Sequence, residues 1–201
     1  AHDGLSLNNT LYFEKYNKWR GINIEPINNV FNKLIKNRPD CINLNYAVCN
    51  YNGETDFLLN IGNTEMLSGI KESYDDRHLN RLNHENNIYS SNTKIIKINT
   101  IKLETIFDKY NIKNINYLSI DVEGGEFEVI KSINFDKIFI DVIGFECNYE
   151  DSCIPIVKYL ENKNFVVIHK SLDIFMINNN STFKTPKMNL TNSSNLIIKY
   201  Y

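Results

Sequence analysis

Apolar and polar positions change period along this chain, and the changes divide it into elements. Residues 9–19 set Leu11, Tyr12, Tyr16 and Trp19 among charges and predict a helix with Asn or Thr as cap near its start. Residues 21–24 form a short strand that ends at Glu25-Pro26. Val30, Phe31, Leu34 and Ile35 then recur at helical spacing until Arg38-Pro39-Asp40 breaks the pattern. Residues 41–48 alternate as a strand, and residues 55–59 do so again beyond the Asn52-Gly53 turn. From 62 to 92 the periodicity fails, and a segment this long and polar predicts function or local helices rather than a bare loop. Regularity returns with strands at 94–99, 117–121, 138–145, 165–169 and 173–177, and helices at 102–110, 126–133 and 154–162. The Asn/Ser/Thr-rich residues 179–201 read as a polar tail, with Leu196-Ile197-Ile198 as a candidate edge strand.

Strands alternating with helices predict an α/β three-layer domain over residues 1–178, with a largely parallel sheet and an insertion at 62–92. Ligands in such sheets bind at the carboxyl ends of the strands. The strand-end residues are Asp3-Gly4, Glu25-Pro26, Asn45 to Val48, Asp121 to Gly125 and Glu146 to Tyr149. Four of these five groups carry a carboxylate, which is more than packing requires.

Composition narrows the chemistry. The chain has 201 residues, 42% hydrophobic and 23% charged, with a net charge of −2. That balance argues against a nucleic-acid-wrapping or basic membrane-surface protein. No run approaches a membrane span, and Ala1-His2-Asp3-Gly4 has neither the basic nor the apolar part of a secretion signal, so a cytoplasmic location is expected. About one residue in six is Asn, which makes the Asn-x-Ser/Thr triplets at Asn8, Asn180, Asn189 and Asn192 a matter of chance. Cys41, Cys49, Cys147 and Cys153 show no C-x-x-C spacing and read as free thiols in a reducing compartment.

The turn at His2-Asp3-Gly4 before a helix suits close backbone approach to a ligand. Glu25 ends a strand about twenty residues on, where a carboxylate can accept from two adjacent ribose hydroxyls or simply be solvated. There is no G-x-G-x-x-G and no P-loop, so a ribose-bearing cofactor without pyrophosphate remains, and S-adenosylmethionine fits that description. Ile120-Asp121-Val122-Glu123-Gly124-Gly125-Glu126 is the sharpest constellation. An apolar strand delivers Asp121 and Glu123 to one side, two glycines turn the chain, and Glu126 caps the next helix. Asp121 and Glu123 can act as base, orient a hydroxyl, meet a cation, or merely stabilise the turn.

Residues 1–149 resemble the FkbM family of S-adenosylmethionine-dependent methyltransferases. The resemblance is carried by A-H-D-G at 1–4, N-T before Tyr12-Phe13-Glu14, W-R-G-I-N-I-E-P at 19–26, and N-R-P at 37–39. It continues in N-Y-A-V at 45–48, Y-L-S-I-D-V-E-G-G-E at 117–126 and F-E-C-N-Y at 145–149. It implies a Rossmann-like class I methyltransferase fold, a doubly wound, mostly parallel seven-stranded sheet whose last strand is antiparallel. It places the methionine moiety against His2, Asp3 and Gly4, with Asn9 among the cofactor-binding positions. Glu25 and Pro26 would meet the ribose and Asn45 to Ala47 the adenine, while Asp121, Val122 and Glu123 would lie beside the methionine end and the acceptor. The family's first strand, with its D-x-G or E-x-G, is absent before Ala1, so the chain is expected to be a fragment of a longer protein.

The activity implied is O-methyl transfer to a hydroxyl of a sugar, a glycan or a similar small polar acceptor. Asp121, Glu123 and Glu146 are the expected catalytic residues. A divalent cation on Asp121, Glu146 and Asn148 is a less favoured variant. The 62–92 insertion would bind the acceptor, with Ser68-Gly69 near the cofactor and Arg77, His78 and Arg81 meeting a polar substrate. A non-catalytic module that binds cofactor or glycan within a larger glycan-modifying protein is the alternative. A nicotinamide-dependent dehydrogenase lacks its phosphate-binding glycines here.

Overall fold

The computed structural model describes residues 1–6 and 8–183. The predicted edge strand at Leu196-Ile197-Ile198 lies outside the described residues. Six helices are described: α1 (Leu11–Asn17), α2 (Asn28–Asn37), α3 (Asp76–Tyr89), α4 (Leu103–Lys109), α5 (Glu126–Lys131) and α6 (Glu150–Glu161). The strands are β1 (Ile22–Ile24), β2 (Ile42–Leu44), β3 (Ala47–Val48), β4 (Gly53–Ile61), β5 (Gly69–Ile70), β6 (Asn92–Ile101), β7 (Asn114–Ile120), β8 (Phe139–Glu146), β9 (Phe165–Lys170) and β10 (Asp173–Asn178).

The protein is mixed α/β, but its described strands form three small sheets rather than one mostly parallel seven-stranded sheet. One is the parallel pair β1-β2, the second runs β7-β8-β10-β9, and the third β3-β6-β4-β5. β7 and β8 are parallel, whereas β10 runs antiparallel to both β8 and β9. β8 is buried on both faces, as its near-continuous apolar sequence dictates. Ile106, Val129, Ile130, Ile156 and Leu160 of α4, α5 and α6 join Ile140, Ile143, Phe145, Ile174 and Met176 in the main core.

Two further expectations are corrected. The strand read over 41–48 is two strands in different sheets, β2 on β1 and β3 on β6. It breaks at Asn45, whose Nδ2 donates to the Glu25 and Pro26 carbonyls instead of letting the ladder continue. The 62–92 segment does hold the local helices expected of it: two 3-10 turns and α3 pack beside the antiparallel β4–β6 ribbon, which β5 edges, with Leu82 packed on Leu58 and Leu67. Finally, Cys147 and Cys153 form a disulfide; only Cys41 and Cys49 are free. The first turn of α6 folds back over the end of β8 and brings the two Cα atoms to 5.8 Å, within bridging range. That bond removes the free-thiol argument for a reducing compartment. No helix among the described residues is long and apolar enough to cross a membrane.

Candidate active site

β7 stops pairing at Ile120, opposite Phe145, and the chain turns through Asp121–Gly125 into α5. Glu123 and Gly124 are both left-handed, at φ 54° and 96°. A non-glycine residue held there is strained, and such strain gathers at functional sites. Glu126, buried in the first turn of α5, accepts from the backbone N–H of Val122 at 3.0 Å and of Gly124 at 3.2 Å, which fixes the turn. The insertion packs down on it: a Cβ at Gly124 would stand 2.7 Å from the Ser73 carbonyl, and one at Gly69 would meet Glu123 Cβ at 3.0 Å. Gly69 therefore lies against the β7 turn.

Asp121, Glu123 and Glu146, from the ends of β7 and β8, bring carboxylate oxygens within 4.8 Å of one another. Burial, then the Glu146 and Asp121 charges, push Glu123 up to about 9. Burial and the same kind of repulsion push Glu146 up to about 7, against the pull of Asn148 and Arg81. Asp121 is exposed at the mouth, and partial desolvation still raises it. At neutral pH the group therefore holds protons: Glu123 is a neutral donor and Glu146 is part-ionised. The three residues can also offer oxygens to a hard cation, which would need water or substrate to complete its shell.

The N-terminal turn is built separately. Asp3 Oδ1 accepts from the N–H groups of Leu5 and Ser6, which hold its carboxyl below the usual value despite opposing burial. Gly4 is left-handed at φ 82°, and a Cβ there would stand 2.7 Å from Arg38 Cγ. Arg38, 2% exposed, spends its donors on Glu14, the Gly4 carbonyl, Asn8, Thr10 and Cys41. Asn8 in turn accepts from the N–H of Thr10 and of Leu11, capping α1. Glu25 is buried, accepting from the His2 N–H at 2.9 Å and the Ile27 N–H at 3.0 Å. Its oxygens keep lone pairs for a further donor, although it is already a backbone clamp. His2 Nε2 lies 3.8 Å from Glu65 of the insertion, and its buried Nδ1 has no hydrogen-bond partner among the described residues. Asn9 Nδ2 donates to Ser119 Oγ at 3.4 Å, Ala47 is buried in β3, and Pro26 follows Glu25 at the end of β1.

The insertion's cations divide. Arg77 commits all five donors, to Asp75, both oxygens of Asp151 and Ser152, and its guanidinium lies 4.3 Å over the Tyr149 ring. It is a strut from α3 to α6, so the expected substrate contact is not what holds it. Arg81 bonds Glu85 and faces Glu123 and Glu146 electrostatically. His78 lines a cavity of about 150 Å³ with Ser73, Gly124, Glu146, Asn148 and Tyr149. A larger hollow of about 650 Å³ along α1, lined by Lys15, Trp19 and Arg20, shares no residue with the carboxylate group.

The structure thus joins Asp121, Glu123 and Glu146, and joins His2, Asp3, Gly4 and Glu25. The roles of Arg38 and Asn8 and the pairing of Asp75 with His78 escaped sequence reasoning, although His78 itself was among the expected substrate contacts. An arginine before a proline at a helix end reads as surface, and its burial follows only from the acceptors that gather around it in the fold. Neither a curated protein nor a solved structure matches the chain. The model of the methyltransferase FkbM domain matches residues 1–167. Spanning most of the chain and both groups of strand-end carboxylates, that match establishes that the chain belongs to the FkbM methyltransferase family.

Proposed function

We propose that the chain is an O-methyltransferase that uses S-adenosylmethionine and acts on a hydroxyl of a sugar, glycan or similar small polar acceptor. The observation that carries this reading is the grouping of Asp121, Glu123 and Glu146 at the ends of β7 and β8 in a chain of this family. The order β7-β8-β10-β9 with β10 antiparallel, together with the separate parallel pair β1-β2, supports a class I doubly wound arrangement. The orphaned Nδ1 of His2, the left-handed turn at Gly4 and the lone pairs left on Glu25 fit a polar, ribose-bearing cofactor.

Bound there, S-adenosylmethionine supplies an electrophilic methyl group on a sulfonium. His2, Asp3, Gly4 and Asn9 hold the amino-acid end beside Asp121 and Val122. Glu25 and Pro26 take the ribose, and Asn45 and Ala47 line the adenine. Glu123 donates a hydrogen bond at neutral pH, since burial keeps its proton on. Asp121 and Glu146 orient the acceptor hydroxyl, and alignment supplies most of the rate. Glu146 is the one of the three poised near neutrality, so it can donate or accept a hydrogen bond to the acceptor hydroxyl.

Transfer of a tritiated methyl group from S-adenosylmethionine to a panel of methyl glycosides tests the activity. Label should enter the sugar, and Glu146→Gln should slow its entry by about tenfold or more. Cofactor binding with no transfer to any hydroxyl acceptor would instead mark a non-catalytic module.

A further inference from the structure

The Asp75–His78 pair has a geometry that the carboxylate group does not explain. Asp75 caps α3: its Oδ1 accepts from the His78 backbone N–H at 2.9 Å. The same oxygen lies 2.7 Å from His78 Nδ1. Hydrogen bonds from the His78 backbone, the His78 ring and Arg77 overcome the opposing burial and hold the Asp75 carboxyl well below its usual range. A carboxylate at Nδ1 fixes the proton there and leaves Nε2 as the basic lone pair. Among the described residues Nε2 has no hydrogen-bond partner. The ring is 10% exposed and is held edge-on by Tyr149, with centroids 5.1 Å apart, and more loosely by Tyr74. Its Cε1 faces the β7 turn, 3.5 Å from where a Gly124 Cβ would stand, and the ring lines the same cavity as Glu146 and Asn148. A packed surface cap needs none of this: Asp75 would cap α3 equally well with any residue at position 78.

We propose that His78, oriented by Asp75, is the catalytic base for the acceptor hydroxyl, an inference that rests on the methyltransferase reading above. The acceptor oxygen forms a bond to the methyl carbon as the methyl–sulfur bond of S-adenosylmethionine breaks. The electron pair stays on sulfur, giving the neutral thioether S-adenosylhomocysteine, and the hydroxyl proton passes to His78 Nε2. Glu146 then hydrogen-bonds the acceptor rather than taking that proton. Asp75 is the positioning residue that stabilises the imidazolium formed. Arg77, which ties Asp75 to Asp151 and Ser152 of α6, holds the pair against the cavity.

Long-range nitrogen–proton correlation spectra of the labelled chain at neutral pH test the arrangement without turnover. His78, identified by its loss in His78→Gln, should show a protonated Nδ1 and a bare Nε2. Asp75→Ser keeps a good helix cap and should abolish that fixed tautomer. A protonated Nε2 in the unsubstituted chain would overturn the proposal. In the methyl glycoside assay, His78→Gln should lower kcat by about a hundredfold, and Asp75→Ser should lower it by a smaller factor. Both should leave S-adenosylhomocysteine binding within about twofold. Undiminished kcat in His78→Gln, with Glu146→Gln inactive, would assign the base to Glu146 and overturn the inference alone. No binding of S-adenosylhomocysteine to the unsubstituted chain would overturn the underlying reading, and the inference with it.

Discussion

Glu123 sits at the meeting point of backbone strain and charge. It occupies a left-handed conformation and keeps its proton to about pH 9 because burial and two neighbouring carboxylates disfavour its ionised form. A carboxyl raised in the folded state binds its proton more tightly there than in the unfolded chain. The protein is therefore most stable, with respect to this group, below the unfolded value near 4.5, and loses stability as pH rises from there through about 9. Glu146 adds a loss of the same sign between 4.5 and about 7. Thermal unfolding from pH 5 to 9 should show this decline. Glu123→Gln should flatten it and stabilise the protein by about 1–2 kcal/mol at pH 8, or roughly 2–8 °C in Tm. Equal slopes for the two proteins would show that Glu123 is ionised when folded. The position of these acids at strand ends was legible in the sequence, because periodicity fixes where a strand stops. Their protonation was not, since it depends on three carboxylates from separate strands converging. Glu25 shows the same limit: its strand-end place was readable, but its two backbone N–H partners were not.

Among the elements, those from β7 onward fall within a few residues of the sequence reading, because alternation between apolar strands and one-sided helices is strong there. α6 is the exception: it starts at Glu150, a turn before the predicted 154. Pro155 resembles a first-turn proline, yet Glu150 and Asp151 favour the helix dipole earlier, and the Cys147–Cys153 bond anchors that turn. The N-terminal elements depend on one side chain. Arg38 joins the end of α2 to Gly4, to α1 through Glu14 and Thr10, and to Asn8. Arg38→Leu should cost about 3–5 kcal/mol, since it strands Glu14 and several buried acceptors. The corresponding fall in Tm is roughly 6–20 °C, readable by calorimetry. A change of only a degree or two would mean that α1 and the first turn are held by packing alone.

In the whole molecule, an α/β plan was legible, but its division into three sheets was not. The split follows from local hydrogen bonding: Asn45 turns the chain out of the β1-β2 pair, and β3 then joins the β4–β6 ribbon. That ribbon carries α3, and α3 brings His78 to the mouth of β7 and β8 while Arg77 fastens it to α6. The site is thus assembled from three parts: the N-terminal turn on β1, the carboxylates of β7 and β8, and the insertion that closes over them. On the proposed function, these parts together form a site for S-adenosylmethionine. Isothermal titration of S-adenosylmethionine and S-adenosylhomocysteine, with NADH as control, tests it most directly. The first two should bind at micromolar concentration, about tenfold more weakly in Glu25→Gln by loss of one charge-assisted hydrogen bond, and NADH not at all. Binding of NADH alone, or of none of the three, would contradict it.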